Sequence, residues 1–198
     1  YNQIDLAISY YKRAIYEGKK SSKTTGLGKA YYNLAGMYLE TGYQSEDTLR
    51  QALNLCNYAL KLLEESKDQA GIINCLSGIG SIYTDLGWYD SASVYFSRQE
   101  ELIRETGAEE YYVTYYANAG RALFEQAQYN EAINAFQLGL GYAQKFENPR
   151  WRATYYANLA AAYENLGNFE RANFYNLRCR ELNDSLFTTE NFETVHHL

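Results

Sequence analysis

The sequence is poor in residues that interrupt helices and in residues that perform chemistry. Pro149 is its only proline, so no other proline breaks a helix in 198 residues. Its two histidines, His196 and His197, stand together at the end of the sequence, where a solvated tail accounts for them. We therefore expect no metal site and no histidine acid–base chemistry. No phosphate-binding loop, dinucleotide fingerprint or nucleophile elbow is present, so no cofactor is expected and the chain is not predicted to be an enzyme.

Positive charge is also scarce. The chain has 18 Lys and Arg against 24 Asp and Glu, a net charge of −6 and a pI near 5.0. Nucleic-acid binding depends on cations that neutralise phosphates, so we expect none by this segment. No apolar run approaches the roughly 20 residues that span a membrane, and no signal peptide is recognisable. Membrane insertion by this segment is not expected either.

Cysteine is scarce, with three residues that share no metal-like spacing, Cys56, Cys75 and Cys179. Cys56 and Cys179 occupy packing positions of the repeat described below, which favours small buried thiols. A disulfide is the alternative. Free thiols are typical of a reducing compartment such as the cytoplasm, whereas a periplasmic location would suit part of a membrane sensor, so the localisation stays open.

The residues that are plentiful form helical stripes. Between residues 115 and 140, Tyr116, Gly120 and Leu123 share one helix face, and a second stripe follows a break at residues 127–128. Glycine inside a helix costs about 1 kcal/mol relative to alanine, so Gly120 predicts the close approach of a neighbouring helix. The second stripe alternates small and large residues: Tyr129, Ala132, Ala135, Phe136, Gly139 and Leu140.

The same pattern recurs along the chain at spacings of 45 and then 40 residues. The alanine of the second stripe recurs as Ala7, Ala52, Ala92, Ala132 and Ala172. The small residue of the first stripe recurs as Ala35, Gly80, Gly120 and Ala160, followed by Tyr38, Tyr83, Leu123 and Tyr163. The turn between the stripes has Gly42, Gly87, Ala127 and Gly167. Four coincident columns indicate a tandem array of helical hairpins.

This alternation resembles the tetratricopeptide repeat, whose first helix has aromatic, Leu, Gly and Tyr positions and whose second has Ala, Phe and Ala. The period is longer than the usual 34 or so residues by roughly one and a half helical turns. Long-period arrays of this kind occur in several signalling and scaffolding families. The resemblance implies an all-α fold, a right-handed α-α superhelix of tandem hairpins.

We expect a single array over residues 1–198, cut from a larger protein because it begins inside a repeat. Its predicted parts are the second helix of a truncated repeat at 1–20, repeats at 27–67, 68–107, 108–148 and 149–184, and a C-terminal helical extension at 185–198. A polar linker occupies residues 21–28. Ser45 and Asn148 are predicted to cap the helices that follow them, the latter with Pro149 in the first helical position. Asn176 replaces the expected bulky apolar residue, which predicts weaker packing in the last repeat.

The resemblance also implies a concave groove lined by the first helix of each hairpin. The register places these residues along it: Lys29, Tyr32, Asn33, Gly36, Asn74, Ser77, Ser81, Thr114, Asn118, Arg121, Glu125, Thr154, Asn158, Ala161 and Asn165. Asn33, Asn118 and Asn158 form one column, with Gly78 in the second repeat. Asparagine offers a donor and an acceptor to a peptide backbone, so such a ladder can hold an extended chain. The alternative is that these asparagines hold neighbouring hairpins together and bind no ligand.

One tetratricopeptide subclass grips a C-terminal carboxylate with lysine, arginine and asparagine. Lys29 and Asn33 resemble part of that clamp, but Arg121, the other basic groove residue, lies two repeats away, so we expect the clamp to be absent. We predict a non-catalytic module that binds a protein or peptide, within a larger bacterial signalling or regulatory protein. The alternative is a structural scaffold or dimerisation module without a regulated ligand, and a homo-oligomer is compatible with either.

Overall fold

The computed structural model describes residues 2–20, 26–40 and 45–196, and their side chains between residues 3 and 188. Over these ranges the chain is α-helical, with one short 3-10 turn at Glu109–Tyr111. The helices are α1 (Asn2–Lys20), α2 (Leu27–Glu40), α3 (Glu46–Glu65), α4 (Gln69–Asp85), α5 (Tyr89–Thr106), α6 (Tyr112–Glu125), α7 (Tyr129–Lys145), α8 (Pro149–Asn165) and α9 (Phe169–His196). The predicted turn glycine Gly42, most of the polar linker and His197 lie outside the described residues. No helix in the described ranges is long and apolar enough to cross a membrane.

The helix ends follow from local side-chain chemistry. The Thr48 N–H donates to the Ser45 hydroxyl across 3.2 Å, and the Trp151 N–H donates to the Asn148 side chain across 3.1 Å, so both predicted N-caps are confirmed. The turns inside the hairpins place Gly87 and Gly167 at a φ of 73°. Ala127 occupies the same left-handed region at 58°, a conformation that glycine adopts at lower cost.

The described helices divide into two compact units, Tyr1–Gly107 and Ala108–Leu198. In the first unit, α1 to α5 pack each against the next, and α2 also contacts α4. The centre of this unit is apolar and almost fully excluded from solvent. Its most deeply buried residues include Ala35, Ala52, Cys56, Leu76 and Ile79, which lie on the predicted stripes or directly beside them.

The second unit, α6 to α9, repeats this arrangement around a more aromatic core. Consecutive helices pack together, and α6 also contacts α8. Phe136 and Tyr155 are its largest buried side chains. The Tyr155 hydroxyl is not stranded in this core, because it donates to the Val113 carbonyl across 2.5 Å.

The helical glycines allow the close packing that their sequence positions predicted. A methyl group added at Gly120 would lie 2.5 Å from Cε1 of Phe136, and one at Gly80 would lie 2.5 Å from Cε1 of Phe96. In these two hairpins the ring of the second helix therefore sits directly on the first helix. The predicted role of Gly120 is confirmed.

The cysteines are thiols, with Cys56 and Cys75 buried and Cys179 half-buried. The Cys75 thiol donates to the Cys56 carbonyl across 3.2 Å. A side-chain hydrogen bond with Cys56, together with burial, raises the pKa of the Cys75 thiol, so it stays protonated at neutral pH. The favoured expectation of structural thiols is confirmed for Cys56 and Cys75.

The last helix, α9, is polar at three positions where α7 is apolar. Asn173, Asn176 and Asn183 occupy the register positions of Ile133, Phe136 and Ala143, and all three asparagines are exposed. The expected weaker packing at Asn176 is confirmed, because a solvated amide replaces a buried ring.

Candidate functional site

The predicted groove residues all lie on the first helices of the hairpins, α2, α4, α6 and α8. They differ in how far they reach solvent. Those that are exposed are Lys29, Asn33, Asn74, Glu125, Thr154 and Asn165. Those that are half-buried are Tyr32, Gly36, Ser81, Thr114, Asn118, Arg121, Asn158 and Ala161. Ser77 departs from the expectation, because at 7% exposure it is part of the packed interior of the first unit.

In the first unit, the groove face between α2 and α4 is filled by a tyrosine. A methyl group added at Gly78 would lie 2.8 Å from Cε2 of Tyr32, so the ring lies directly against the glycine. Burial, with smaller contributions from the Cys56 and Cys75 thiols, raises the pKa of Tyr32 to about 12. Tyr32 therefore acts as a packed ring between two first helices, and the gap in the asparagine column at Gly78 is the space that it needs.

Lys29 stabilises the N-terminus of α4 through Asp68. Its ammonium pairs with the Asp68 carboxylate across 2.8 Å, and Asp68 caps α4 by accepting from the Gly71 N–H across 3.0 Å. The hydrogen bond from Lys29, together with the one from Gly71, lowers the pKa of Asp68. This pairing agrees with the expectation that Lys29 does not belong to a carboxylate clamp.

The second unit has an open pocket between α6 and α8, with a volume of about 180 Å³. Its apolar lining comes from Phe124 and Phe136. Three predicted groove residues supply its polar lining, namely Arg121, Glu125 and Asn158. Ala161, one turn beyond Asn158 on α8, also lines the pocket, and its small side chain takes up little of the pocket volume. The structure thus brings together groove residues from two successive repeats around one pocket.

The two units differ on this face at one pair of register positions. The position of Tyr32 corresponds to Ala117 in α6, and the position of Gly78 corresponds to Asn158 in α8. Ala117 therefore has no ring to place against Asn158, which is one of the residues that line the pocket.

The pocket combines opposite charges, an amide and aromatic rings within a small volume. Arg121 and Glu125 are four residues apart on one face of α6, and Asn158 approaches from α8. An amide side chain pairs with both the N–H and the carbonyl of a peptide group. The aromatic lining offers apolar contact area below this rim. The arrangement suits an apolar side chain that enters the pocket while its backbone stays at the polar rim.

Sequence reasoning missed Phe124 and Phe136 as pocket residues. Phe136 had been assigned to packing inside its hairpin, and it does pack against Gly120, but it also faces the pocket. Gly120 indicated that a neighbouring side chain packs closely on α6, but no sequence pattern indicated that the same ring also lines a pocket. No sequence pattern indicated Phe124 as a pocket residue, because it directly follows Leu123, a residue of the packing stripe.

The other predicted residues of this unit are outside the pocket lining. The Thr114 hydroxyl donates to the Tyr111 carbonyl across 3.0 Å, and the Thr154 hydroxyl donates to the Arg150 carbonyl across 3.1 Å. Both threonines thus bond to their own chain segment. Asn118 lies on α6 one turn before Arg121 and does not line the pocket. Of the asparagine column, the pocket lining therefore includes Asn158.

A family model described as Tetratricopeptide repeat matches residues 74–106, 113–146 and 153–184, which together make up half of the chain. The three matches correspond to the second, third and fourth hairpins. No curated protein resembles the sequence closely enough to count as a match.

Several solved structures have a similar fold. BtubC (BKLC) from P. vanneervenii has a TM-score of 0.75 at 19% identity, over 93% of this chain and 74% of that one. A signal transduction ATPase (STAND) with a tetratricopeptide repeat sensor, from Pyrococcus horikoshii, has a TM-score of 0.73 at 16% identity, over 89% of this chain and 25% of that one. A Rap protein complexed with Competence and Sporulation Factor has a TM-score of 0.68 at 15% identity, over 94% and 60%.

At these identities the likeness shows the fold alone. The chain spans less than two thirds of the length of the STAND and Rap proteins. The expected all-α, tetratricopeptide-like solenoid is confirmed by the helices and by these neighbours.

Proposed function

Because the chain belongs to the tetratricopeptide-repeat family, we propose that it is a non-catalytic module that binds a protein or peptide segment through the pocket between α6 and α8. The observation that carries this proposal is the pocket itself, where Arg121, Glu125 and Asn158 surround an aromatic lining. An apolar side chain of the partner enters the pocket, and Asn158 bonds to the partner's backbone.

The pocket also defines the chemistry of the partner. Its charged rim has one cation and one anion, so it favours neither an acidic nor a basic segment. Its volume of about 180 Å³ accommodates a single side chain and is well below the roughly 300–1,000 Å³ of drug-sized ligand sites. We infer a largely uncharged, extended segment with one aliphatic or aromatic anchor residue.

The solved neighbours support a role in signalling. One of them is a Rap protein with a bound factor, and another contains a tetratricopeptide repeat described as a sensor. We propose that this chain is likewise the ligand-binding part of a larger bacterial signalling or regulatory protein. Occupation of the groove then changes the protein's self-association or the curvature of its repeats.

The experiment is selection of a random peptide library on the purified protein, followed by affinity measurement for enriched peptides. Asn158→Ala removes the rim amide, and Asn134→Ala is the matched control because Asn134 is an exposed asparagine on α7. We expect the Asn158 variant to bind at least about ten-fold more weakly, a loss of roughly 1.4 kcal/mol, and the control to bind like wild type. Enriched peptides that ignore Asn158 would overturn the proposal.

The alternative function, a dimerisation module, is favoured by one observation on α9. Phe174 and Leu177 are exposed by 52% and 46%, at the register positions of the polar Asn134 and Gln137. An apolar pair on an outward helix face suits contact with a second copy of the chain. A concentration-dependent mass in sedimentation that Phe174→Asn with Leu177→Gln abolishes, combined with no peptide enrichment, would favour this alternative.

A further inference from the structure

A second site lies in the first unit, in a cleft of about 500 Å³. Helix α2 forms its floor, and α1 and α3 flank it, since both pack against α2. Its lining includes Lys19, Tyr31, Tyr38, Gln51, Asn54 and Tyr58. None of these is a predicted groove residue, and nothing in the proposed function uses them.

Two lysines of α1 lie along one side of the cleft. The Lys19 ammonium is 5.8 Å from the centroid of the Tyr31 ring, and the Lys12 ammonium is 5.8 Å from the centroid of the Tyr38 ring. The two tyrosines are seven residues apart on α2, and the two lysines are seven residues apart on α1. Both helices therefore give a spacing of about 10 Å between the two ammonium groups.

The positive charge on this side has no carboxylate beside it. Within the described ranges neither Lys12 nor Lys19 forms an ion pair, and no residue that lines the cleft is acidic. A hydrogen bond with Tyr31 raises the pKa of the Lys19 ammonium and occupies one of its three donors. In the second hairpin, Glu64 takes the position of Lys19 and pairs with Arg98 across 2.5 Å. The first hairpin thus leaves two cations to pair with a ligand.

The other side and the floor of the cleft offer the contacts that a peptide needs. Gln51 and Asn54 are exposed on α3, and their amides can pair with the N–H and carbonyl groups of a backbone. Tyr58 is 45% exposed and packs edge-on against Tyr31, with ring centroids 4.7 Å apart. Aromatic-lined grooves of this kind bind polyproline II segments, whose backbone is already extended and makes no internal hydrogen bonds.

We propose that the cleft binds an acidic polyproline II segment of a partner protein, in which two carboxylates three residues apart pair with Lys12 and Lys19. A polyproline II helix has three residues per turn and rises about 3.1 Å per residue, so these carboxylates lie on one side about 9 Å apart. This spacing agrees with the roughly 10 Å between the ammonium groups. Residues on one side of a β-strand are about 7 Å or about 13 Å apart, which agrees less well.

The test compares four acetylated and amidated hexapeptides by calorimetry at low salt. Pro-Glu-Pro-Pro-Glu-Pro has the proposed spacing, Pro-Gln-Pro-Pro-Gln-Pro is neutral, Pro-Glu-Glu-Pro-Pro-Pro has adjacent carboxylates, and Pro-Lys-Pro-Pro-Lys-Pro is basic. For wild type we expect a Kd on the order of 0.1–1 mM for the first peptide. The neutral peptide should bind about three- to ten-fold more weakly, and the adjacent carboxylates about two- to five-fold more weakly, because each exposed ion pair contributes little. Both preferences should shrink at about 1 M salt.

Lys12→Glu combined with Lys19→Glu should reverse the preference. This variant should bind the first peptide at least about ten-fold more weakly than wild type and should prefer the basic peptide. Both lysines are exposed, so we expect it to fold. Arg104→Glu combined with Arg180→Glu is the matched control, because it changes the net charge equally at exposed positions outside the cleft lining, and it should bind like wild type.

Circular dichroism shows whether each variant is folded. If the double glutamate variant does not fold, Lys12→Gln combined with Lys19→Gln decides, because the preference for the first peptide over the neutral one should then disappear. Three results would overturn the proposal: no saturable binding of the first peptide to wild type, equal binding of the first peptide and either the neutral or the adjacent-carboxylate peptide, or wild-type affinity in a folded lysine variant.

Discussion

At the scale of single residues, the fold depends on glycines that give up space to rings. The tightest case is Gly139 of α7, where an added methyl group would collide with the ring and hydroxyl of Tyr155. Tyr155 cannot move away easily, because it is fully buried and its hydroxyl donates to the Val113 carbonyl. Two residues further along the same helix, Gly141 is exposed and has nothing within 4 Å of an added methyl group.

We predict opposite effects of the same substitution at these two positions. Gly139→Ala should lower the free energy of unfolding by about 1–3 kcal/mol through overpacking against Tyr155. Gly141→Ala should raise it by up to about 1 kcal/mol, because alanine has the higher helix propensity and meets no neighbour. Urea unfolding followed by circular dichroism measures both. Equal effects of the two substitutions would contradict the close contact at Gly139.

At the scale of helices, what matters is which side chain occupies a given register position. Tyr32 and Ala117 are equivalent, yet the ring of Tyr32 lies against Gly78 of the next first helix, whereas Ala117 has no ring to place against Asn158, which lines the pocket. The tyrosine also makes this junction sensitive to alkali, because burial raises the pKa of Tyr32 to about 12 while the unfolded chain has a tyrosine pKa of about 10.

We predict that Tyr32 contributes to a loss of stability between about pH 10 and about pH 12. In that range the folded protein keeps the Tyr32 proton while the unfolded chain releases it, so deprotonation favours unfolding. Below about pH 10 both states hold the proton and the contribution is fully present. Tyr32→Phe should therefore shift the alkaline unfolding midpoint upward and change little near neutral pH. An unchanged alkaline midpoint would contradict the buried, protonated phenol.

The sequence was sufficient for the helices, the two predicted caps and the close packing inside a hairpin, because these follow from residues close together in the repeat. Gly120 predicted the close approach of a neighbouring helix, which the structure shows to be α7 with Phe136, and Ser45 and Asn148 were recognisable as caps because their partners are three residues away. The open or closed state of the groove was not predictable in this way. It depends on whether a side chain reaches the next hairpin, as Tyr32 does toward Gly78, and periodicity alone does not give that distance.

At the scale of the whole molecule, the repeats share a framework and differ in what lines their faces. Where two repeats agree, as at Tyr83 with Tyr95 and Tyr163 with Tyr175, the rings fill space and stabilise the fold. The proposed function rests on a place where they differ, the pocket between α6 and α8.

The most direct test of the proposed function transfers the closed arrangement of the first unit to the second. Ala117→Tyr combined with Asn158→Gly places a tyrosine opposite a glycine, as Tyr32 lies against Gly78. The measurement is the affinity of this double variant for the peptides enriched on wild type, with circular dichroism to show that it is folded. We predict a folded protein with at least about a hundred-fold loss of affinity, roughly 2.7 kcal/mol, because the rim amide is removed and a tyrosine ring takes its place beside the pocket. Wild-type affinity in the folded double variant would contradict the proposal that the pocket between α6 and α8 binds the partner.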